Sequence, residues 1–298
     1  MNHFFFFVSG VVLANASLDI AFHDIFFVVL FEIIIGSFLW MYKVWSVLSF
    51  RRSFNKKYNL SAFNKNHSNE YIKMFWVGLM DGDGSIQVNH LRKKSLQYRL
   101  ILKLSNLESN YNMLIEIAKV IGGTVQIVGK GKYVIWSINK KQEVKEIIEI
   151  YDTYPPLTSR IKCQLKFIKS CLTENSVKFY LSSRNLKYDE QLTSMKSNSK
   201  ITSYFEGWLS GFIEAKGCFS IRESKDNSFS IGQNDDIDLI EAIKKYFKVT
   251  NKVRNSHGRF YFLEIYKKEV LLKIITHCTN YPLLGEKSEY LKTFHKKL

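Results

Sequence analysis

The sequence predicts an α+β fold built as a tandem, pseudo-twofold repeat, and three observations predict it. One pattern occurs twice, first as Phe75-Trp76-Val77-Gly78-Leu79-Met80-Asp81-Gly82-Asp83-Gly84-Ser85-Ile86. It returns as Trp208-Leu209-Ser210-Gly211-Phe212-Ile213-Glu214-Ala215-Lys216-Gly217-Cys218-Phe219. Each copy reads as an apolar helix that halts at an acidic residue, turns on a small residue and a Gly, and enters a strand. All three prolines of the chain lie in two matching signals, Tyr154-Pro155-Pro156-Leu157 and Tyr281-Pro282-Leu283-Leu284. The interval from Asp83 to Lys216 nearly equals that from Tyr154 to Tyr281, which is the mark of a duplication.

Taken in order, residues 1–50 stand apart. They hold one base, Lys43, against Asp19, Asp24 and Glu32, and residues 25–48 form an apolar run broken only by Glu32, Lys43 and a few small polar residues. Arg51, Arg52, Lys56 and Lys57 follow, so 25–48 is expected as a transmembrane helix with a positive-inside flank. No basic stretch precedes the first apolar run, which disfavours a secretory signal, and no Arg-rich transit peptide is present. Residues 51–70 read as a linker, 71–172 as the first repeat, 173–203 as a second linker and 204–298 as the second repeat.

In the first repeat the motif helix runs to about residue 81, with strands at 85–89 and 98–104. A helix follows over 110–121, then a hairpin of 124–128 with 133–138, a helix over 143–151, and a last helix near 160–172 behind the Tyr-Pro signal. The second repeat restarts with the motif helix to residue 214 and strands at 218–222 and 228–233. Helix 237–247, strands 249–254 and 259–266, and helix 268–278 complete it. Each unit thus reads αββαββα, with an antiparallel sheet whose one face lies on its helices and whose other face is open. Gln97, Arg99, Lys103 and Ser105 are assigned to that open face in one copy, and Ser220, Arg222, Ser230 and Gln233 in the other. Two such sheets form a saddle whose strands fit a major groove, Arg and Gln reading base edges and Lys meeting phosphate.

The glycines sharpen the picture. Gly78 and Gly211 lie inside helices, where Gly costs about 1 kcal/mol relative to Ala, so their recurrence predicts close backbone contact between the two motif helices. Gly84 and Gly217 are expected as left-handed helix ends. Such packing brings Asp81, Asp83, Glu214 and Lys216 to one place, where a carboxylate would hold Mg²⁺. Asp81-Gly82-Asp83-Gly84 is not a calcium loop, because either register lacks required ligands.

The net charge of +16 and pI near 9.5 call for a polyanionic partner, and the excess falls wholly on residues 51–298. Cys163, Cys171, Cys218 and Cys278 form no C-x-x-C pair and the His are scattered, which argues against a zinc site and against a disulfide scaffold.

On the two motifs and two Tyr-Pro signals, residues 71–298 resemble the monomeric, two-motif LAGLIDADG homing endonucleases of mitochondrial introns. The resemblance implies site-specific cleavage of double-stranded DNA at an intron insertion site, with a divalent metal, Mg²⁺, and one motif-end carboxylate from each copy. Here the first is Asp83. It further implies basic residues behind the Tyr-Pro signals, assigned to Lys162 and Lys287, and a water-organising polar residue, assigned to Gln233. Gly82 belongs to the same motif. Where the second acid belongs stands Lys216, which lacks a lone pair when protonated and repels a cation. Glu214 is the weaker metal candidate. The departure leaves three options: cutting or nicking with one carboxylate, a decayed copy, or, as the alternative function, an RNA maturase that helps splice its own intron. The stretch 10–24 is similar to a cytochrome c oxidase subunit 1 exon, so residues 1–50 are expected as exon-derived context, with the inner mitochondrial membrane as a partner of 25–48.

Overall fold

The computed structural model describes residues 41, 67–191, 202–222 and 227–298. The chain divides into Met1–Asn64 and Lys65–Leu298, and both repeats belong to the second unit. The expected membrane helix and exon-like stretch lie outside the described residues. No described helix is long and apolar enough to cross a membrane.

The first repeat contains α1 (Asn69–Asp83), β1 (Ser85–Leu91), β2 (Ser95–Ser105), α2 (Glu108–Ile121), β3 (Thr124–Val128), β4 (Tyr133–Ile138), α3 (Lys141–Thr153) and α4 (Ser159–Glu174). A short helix α5 (Val177–Ser183) follows. The second repeat contains α6 (Phe205–Lys216), β5 (Cys218–Ser220), β6 (Ser228–Asn234), α7 (Ile237–Phe247), β7 (Arg254–His257), β8 (Phe260–Ile265), α8 (Lys268–Asn280) and α9 (Glu286–Lys297). Each repeat forms one antiparallel four-stranded sheet with the same order, β1-β2-β4-β3 and β5-β6-β8-β7. Behind its Tyr-Pro signal each repeat carries one more helix than the αββαββα unit, expected in the first repeat (Ser159–Glu174) and not in the second (Glu286–Lys297).

Three local expectations are corrected. Residues 249–253 are not a strand. Lys248 takes a left-handed conformation (φ 56°) and the Val249 amide bonds back to the Lys244 carbonyl, so that amide terminates α7. The span 173–203 is not featureless, because α5 buries Tyr180 against Phe167 and His90. Gly84 and Gly217 are not left-handed. Both are extended (φ −78° and −71°), and a side chain is excluded there by crowding. A Cβ on Gly84 would lie 2.4 Å from Met80 Sδ, and one on Gly217 2.7 Å from the Ile213 carbonyl oxygen.

The motif helices are buried against each other along a strip of small residues. A Cβ on Gly78 would fall 1.9 Å from the Trp208 carbonyl oxygen, and one on Gly211 1.9 Å from that of Phe75. Gly82 meets Ala215, and Gly207 meets Met74, by the same approximate twofold relation. The expectation of backbone contact holds, and nothing larger than hydrogen fits at Gly78 or Gly211. Large rings fill the flanks: Trp76 against Trp136 and Tyr151 in the first repeat, Trp208 stacked on Phe212 and Phe205 in the second.

Candidate active site at the paired helix ends

Because α1 and α6 cross at glycines, their C-terminal ends emerge side by side, each with an inner acid and an outer residue. The inner acids, Asp81 and Glu214, are buried and act as staples. Asp81 Oδ2 accepts from the Leu157 amide (2.7 Å) and from Trp208 Nε1 (2.7 Å), and Oδ1 from the amide and hydroxyl of Thr158. Glu214 accepts from the amides of Gly285 and Lys287, both at 3.0 Å. Each inner acid thus ties its motif helix to the start of the helix behind its own Tyr-Pro signal. Burial raises the pKa of both, that of Glu214 to about 7, against the lowering effect of the hydrogen bonds. With one backbone amide on each oxygen, Glu214 acts as a structural staple.

The outer residues differ in charge. Asp83 Oδ1 accepts from Lys216 Nζ at 2.8 Å, and both side chains keep 30% of their surface exposed. The expectation that the motif ends meet is met. A half-exposed pair of this kind contributes at most about 1 kcal/mol, so it orients Asp83 without immobilising it.

The basic residues behind the Tyr-Pro signals are also rearranged. Lys287 and Arg160 are each the second residue of their helix, α9 and α4. Arg160 donates to the carbonyls of Gly84 (2.7 Å), Asp81 (2.9 Å) and Gly82 (3.2 Å), so its guanidinium caps the end of α1. Arg160, and not Lys162, is therefore the counterpart of Lys287. Aligning the two Tyr-Pro signals residue by residue reveals this, since Arg160 and Lys287 stand equally far beyond Pro155 and Pro282.

Asp83 borders a cavity of about 190 Å³ lined also by Lys103, Ser105, Asn110, Glu214 and Glu286. Lys103 and Ser105 reach it from the open face of β2, where Gln97 and Arg99 share their parity and Leu100 and Leu102 point into the core. In the second sheet Ser220 and Ser230 share the open face, Ser220 lying opposite Ser228 in the register, and Arg222 is exposed beside Glu264 at 3.6 Å. Gln233 does not belong to that face. Its offset from Ser230 is odd, so the pleat turns it inward with Phe229 and Ile231, and it is 7% exposed. Its assignment both to the DNA face and to the catalytic water network is thereby corrected.

Cross-repeat bonds with no signal in the sequence lock the arrangement. Tyr71 donates its hydroxyl hydrogen bond to the Pro282 carbonyl (2.5 Å) and Tyr204 to that of Pro155 (2.6 Å). Asn110 Oδ1 accepts from the Glu286 amide (3.0 Å), and Asp236 Oδ1 from the Ser159 amide (2.8 Å). The Tyr-Pro signals are therefore the seats on which each repeat grips the other. Among the described residues no cluster of three or more His, Cys, Asp or Glu is suited to a metal ion.

This geometry has clear counterparts. The family model of the LAGLIDADG endonucleases matches residues 76–171 and 209–298. A relative from Debaryomyces hansenii, described as a probable intron-encoded endonuclease aI3, is 48% identical over 97% of this chain. The chain spans about half (48%) of that relative's length. Relatives of the same description from Dictyostelium citrinum and Dictyostelium discoideum are 43% and 44% identical over 76% of the chain, which covers 94% and 96% of their lengths. Among solved structures, the LAGLIDADG meganuclease I-CpaMI bound to uncleaved DNA superposes with a TM-score of 0.61 at 19% identity, covering 75% of this chain and 90% of that one. I-SmaMI bound to its uncleaved DNA target in the presence of calcium ions gives 0.60 at 19% identity, over 75% of this chain and 89% of that one. At that identity the superposition speaks for the fold, while the family match and the relatives speak for descent, and the chain belongs to the LAGLIDADG endonuclease family.

Proposed function

We propose that this chain is a site-specific DNA endonuclease of intron homing, acting in mitochondria on double-stranded DNA at an intron insertion site, with Mg²⁺ as cofactor and as a monomer. The observation that carries the reading is Asp83, a half-exposed carboxylate at the crossing of two motif helices, beneath two sheets with open polar faces. One chain supplies both helix ends, so no second copy is needed to complete the site.

The residues fit one divalent ion. Mg²⁺ is commonly held by one or two carboxylates together with substrate phosphate and waters, and Asp83 offers such a carboxylate. Glu214 is the poorer candidate, since it is buried and each of its oxygens already accepts a backbone amide. When bound, the ion would lower the pKa of a water and offset charge on the phosphate. The chain's own residues do the rest. Lys216 keeps Asp83 turned toward the gap between the helices. Arg160 neutralises the carbonyl end of α1 and places positive charge beside the reacting phosphate. Lys287, 19% exposed, stands at the matching place behind α6, with its Nζ 3.7 Å from Glu286, and Lys103 brings a cation from β2 into the Asp83 cavity. Gln97, Arg99 and Lys103 supply groove and phosphate contacts on the first sheet, and Ser220, Arg222 and Ser230 on the second.

The names of the relatives favour DNA cutting over the maturase reading, in which the chain binds its own intron RNA. The test is incubation of purified chain with Mg²⁺ and a plasmid carrying the joined-exon sequence. Cutting confined to that sequence is expected. Binding of intron RNA with rescue of splicing, and no cut in DNA, would replace this reading by the maturase one.

A further inference from the structure

We propose that the Asp83–Lys216 pair makes this an endonuclease of one strand, which nicks the strand whose phosphate meets Asp83 and leaves the other intact. The inference rests on the endonuclease reading above and adds a strand count to it. Symmetry alone predicts two equal chemical centres, because the helix ends, their inner acids and the basic residues behind them all recur. Only at the outermost position does the repeat invert its charge. Lys216 Nζ lies 2.8 Å from Asp83 Oδ1, so a basic side chain occupies the place beside Asp83 where a second carboxylate and its ion would stand.

The neighbours give no substitute acid. Glu214 is 5% exposed and accepts one amide on each oxygen, from Gly285 and Lys287, so both bonds would have to break for it to swing outward. At the other helix end the Arg160 guanidinium already donates to the carbonyls of Asp81, Gly82 and Gly84, and its positive charge there disfavours a shared ion. One carboxylate therefore serves one phosphate. In the single step a water oxygen bonds to phosphorus and one ester P–O bond breaks, its electron pair leaving on the alcohol oxygen. That oxygen takes one water proton, and the other proton passes to solvent. On the opposite strand Lys216 meets the phosphate as a cation, which binds it but holds no ion and orients no attacking water.

The experiment uses supercoiled plasmid carrying the joined-exon target, with each strand labelled in turn. Wild-type chain should accumulate nicked circle, with linear product at least 100-fold slower and the cut confined to one labelled strand. Lys216→Asp and Lys216→Glu should each restore a second cut and convert nicked circle to linear DNA. Gel-shift binding of the target reports whether each variant is folded. A second readout avoids turnover altogether: calorimetric titration of Ca²⁺ into the protein–DNA complex should show one more bound ion for Lys216→Asp than for wild type. Equal cutting of both strands by wild type overturns this inference and leaves the endonuclease reading standing. So does a folded, DNA-binding Lys216→Asp that still nicks one strand and binds no additional ion. No cut by wild type or either variant overturns both readings together.

Discussion

The two repeats share one scaffold at matching places and differ at the outermost motif position, to which the proposed chemistry is assigned. Tyr71 and Tyr204, Gly78 and Gly211, Asp81 and Glu214, and the Tyr-Pro signals occupy matching places and make matching bonds. The pairs that do not match are Asp83 with Lys216, Arg160 with Lys287, and Asn110 with Asp236. β1 has seven residues where β5 has three. Asn110 and Asp236 differ in type yet each accepts a backbone amide of the opposite repeat, so the task is kept where the residue is not. Asp83 and Lys216 are partly exposed at the helix ends, where a change of charge leaves the packing of the two helices intact. The difference teaches that a duplicated site keeps its symmetry in its supports longer than in its reacting groups.

Breaking the comparison at its most unequal point should have the largest effect. Asp83→Asn should lower DNA cutting at least ~10³-fold, equivalent to about 4 kcal/mol in the barrier, while thermal unfolding shifts by no more than a degree or two. Cutting that persists in this variant would remove Asp83 from the chemistry. At the equal points the effect should move to stability. Gly78→Ala and Gly211→Ala each force a methyl into a facing carbonyl, and overpacking with backbone on both sides should cost about 3 kcal/mol or more, lowering Tm by roughly 10 °C. The two losses should be similar; a large inequality would deny the twofold relation.

The inner acids sharpen the contrast. Asp81→Asn turns an amide group either toward Leu157 and Trp208 or toward the Thr158 amide, and breaks up a site of four donors, whereas Glu214→Gln turns one toward a single donor in a site of two. Losses of about 2–4 and 1–2 kcal/mol are expected by denaturant titration. Asp236→Asn tests the remaining mismatch, since Asn110 already does the same task in the first repeat. Burial raises the Asp236 carboxyl to about 6, so its contribution to stability is present at low pH and is lost as pH rises from about 4 through 6. The Asn variant has no such slope, and above pH 6 it should be more stable than wild type by about 1 kcal/mol. Smallest of all, Tyr71→Phe and Tyr204→Phe should each cost ~1 kcal/mol, equal within experimental error.

Much of this architecture is legible in the sequence for reasons that can be named. Gly78 and Gly211 announce the helix contact because a costly residue recurs at one place. Lys216 announces the asymmetric centre because it breaks a repeated pattern. Leu100 and Leu102 fix the face of β2 by alternation. Gln233 resembles its polar neighbours in type, but its odd offset from Ser230 puts it on the opposite side of the strand. Lys162 is one of two bases just past the Tyr-Pro signal, and only a residue-by-residue count picks out Arg160 instead. Gly84 misleads because its cause is the neighbouring Met80 side chain, and no backbone angle demands it. The hydroxyls of Tyr71 and Tyr204 leave no trace, because their partners are carbonyls, which every residue has.

Those tyrosine grips have a consequence for how the polypeptide matures. When residues up to 191 have left the ribosome, Asp81 has not met the Trp208 indole, Tyr71 has no Pro282 carbonyl, and the α1 strip around Gly78 has nothing to close on. The nascent first half must wait, with Phe75 and Leu79 uncovered, until the second half emerges to finish it. A reading frame interrupted between the halves would therefore yield a sticky, protease-sensitive fragment and no smaller working enzyme.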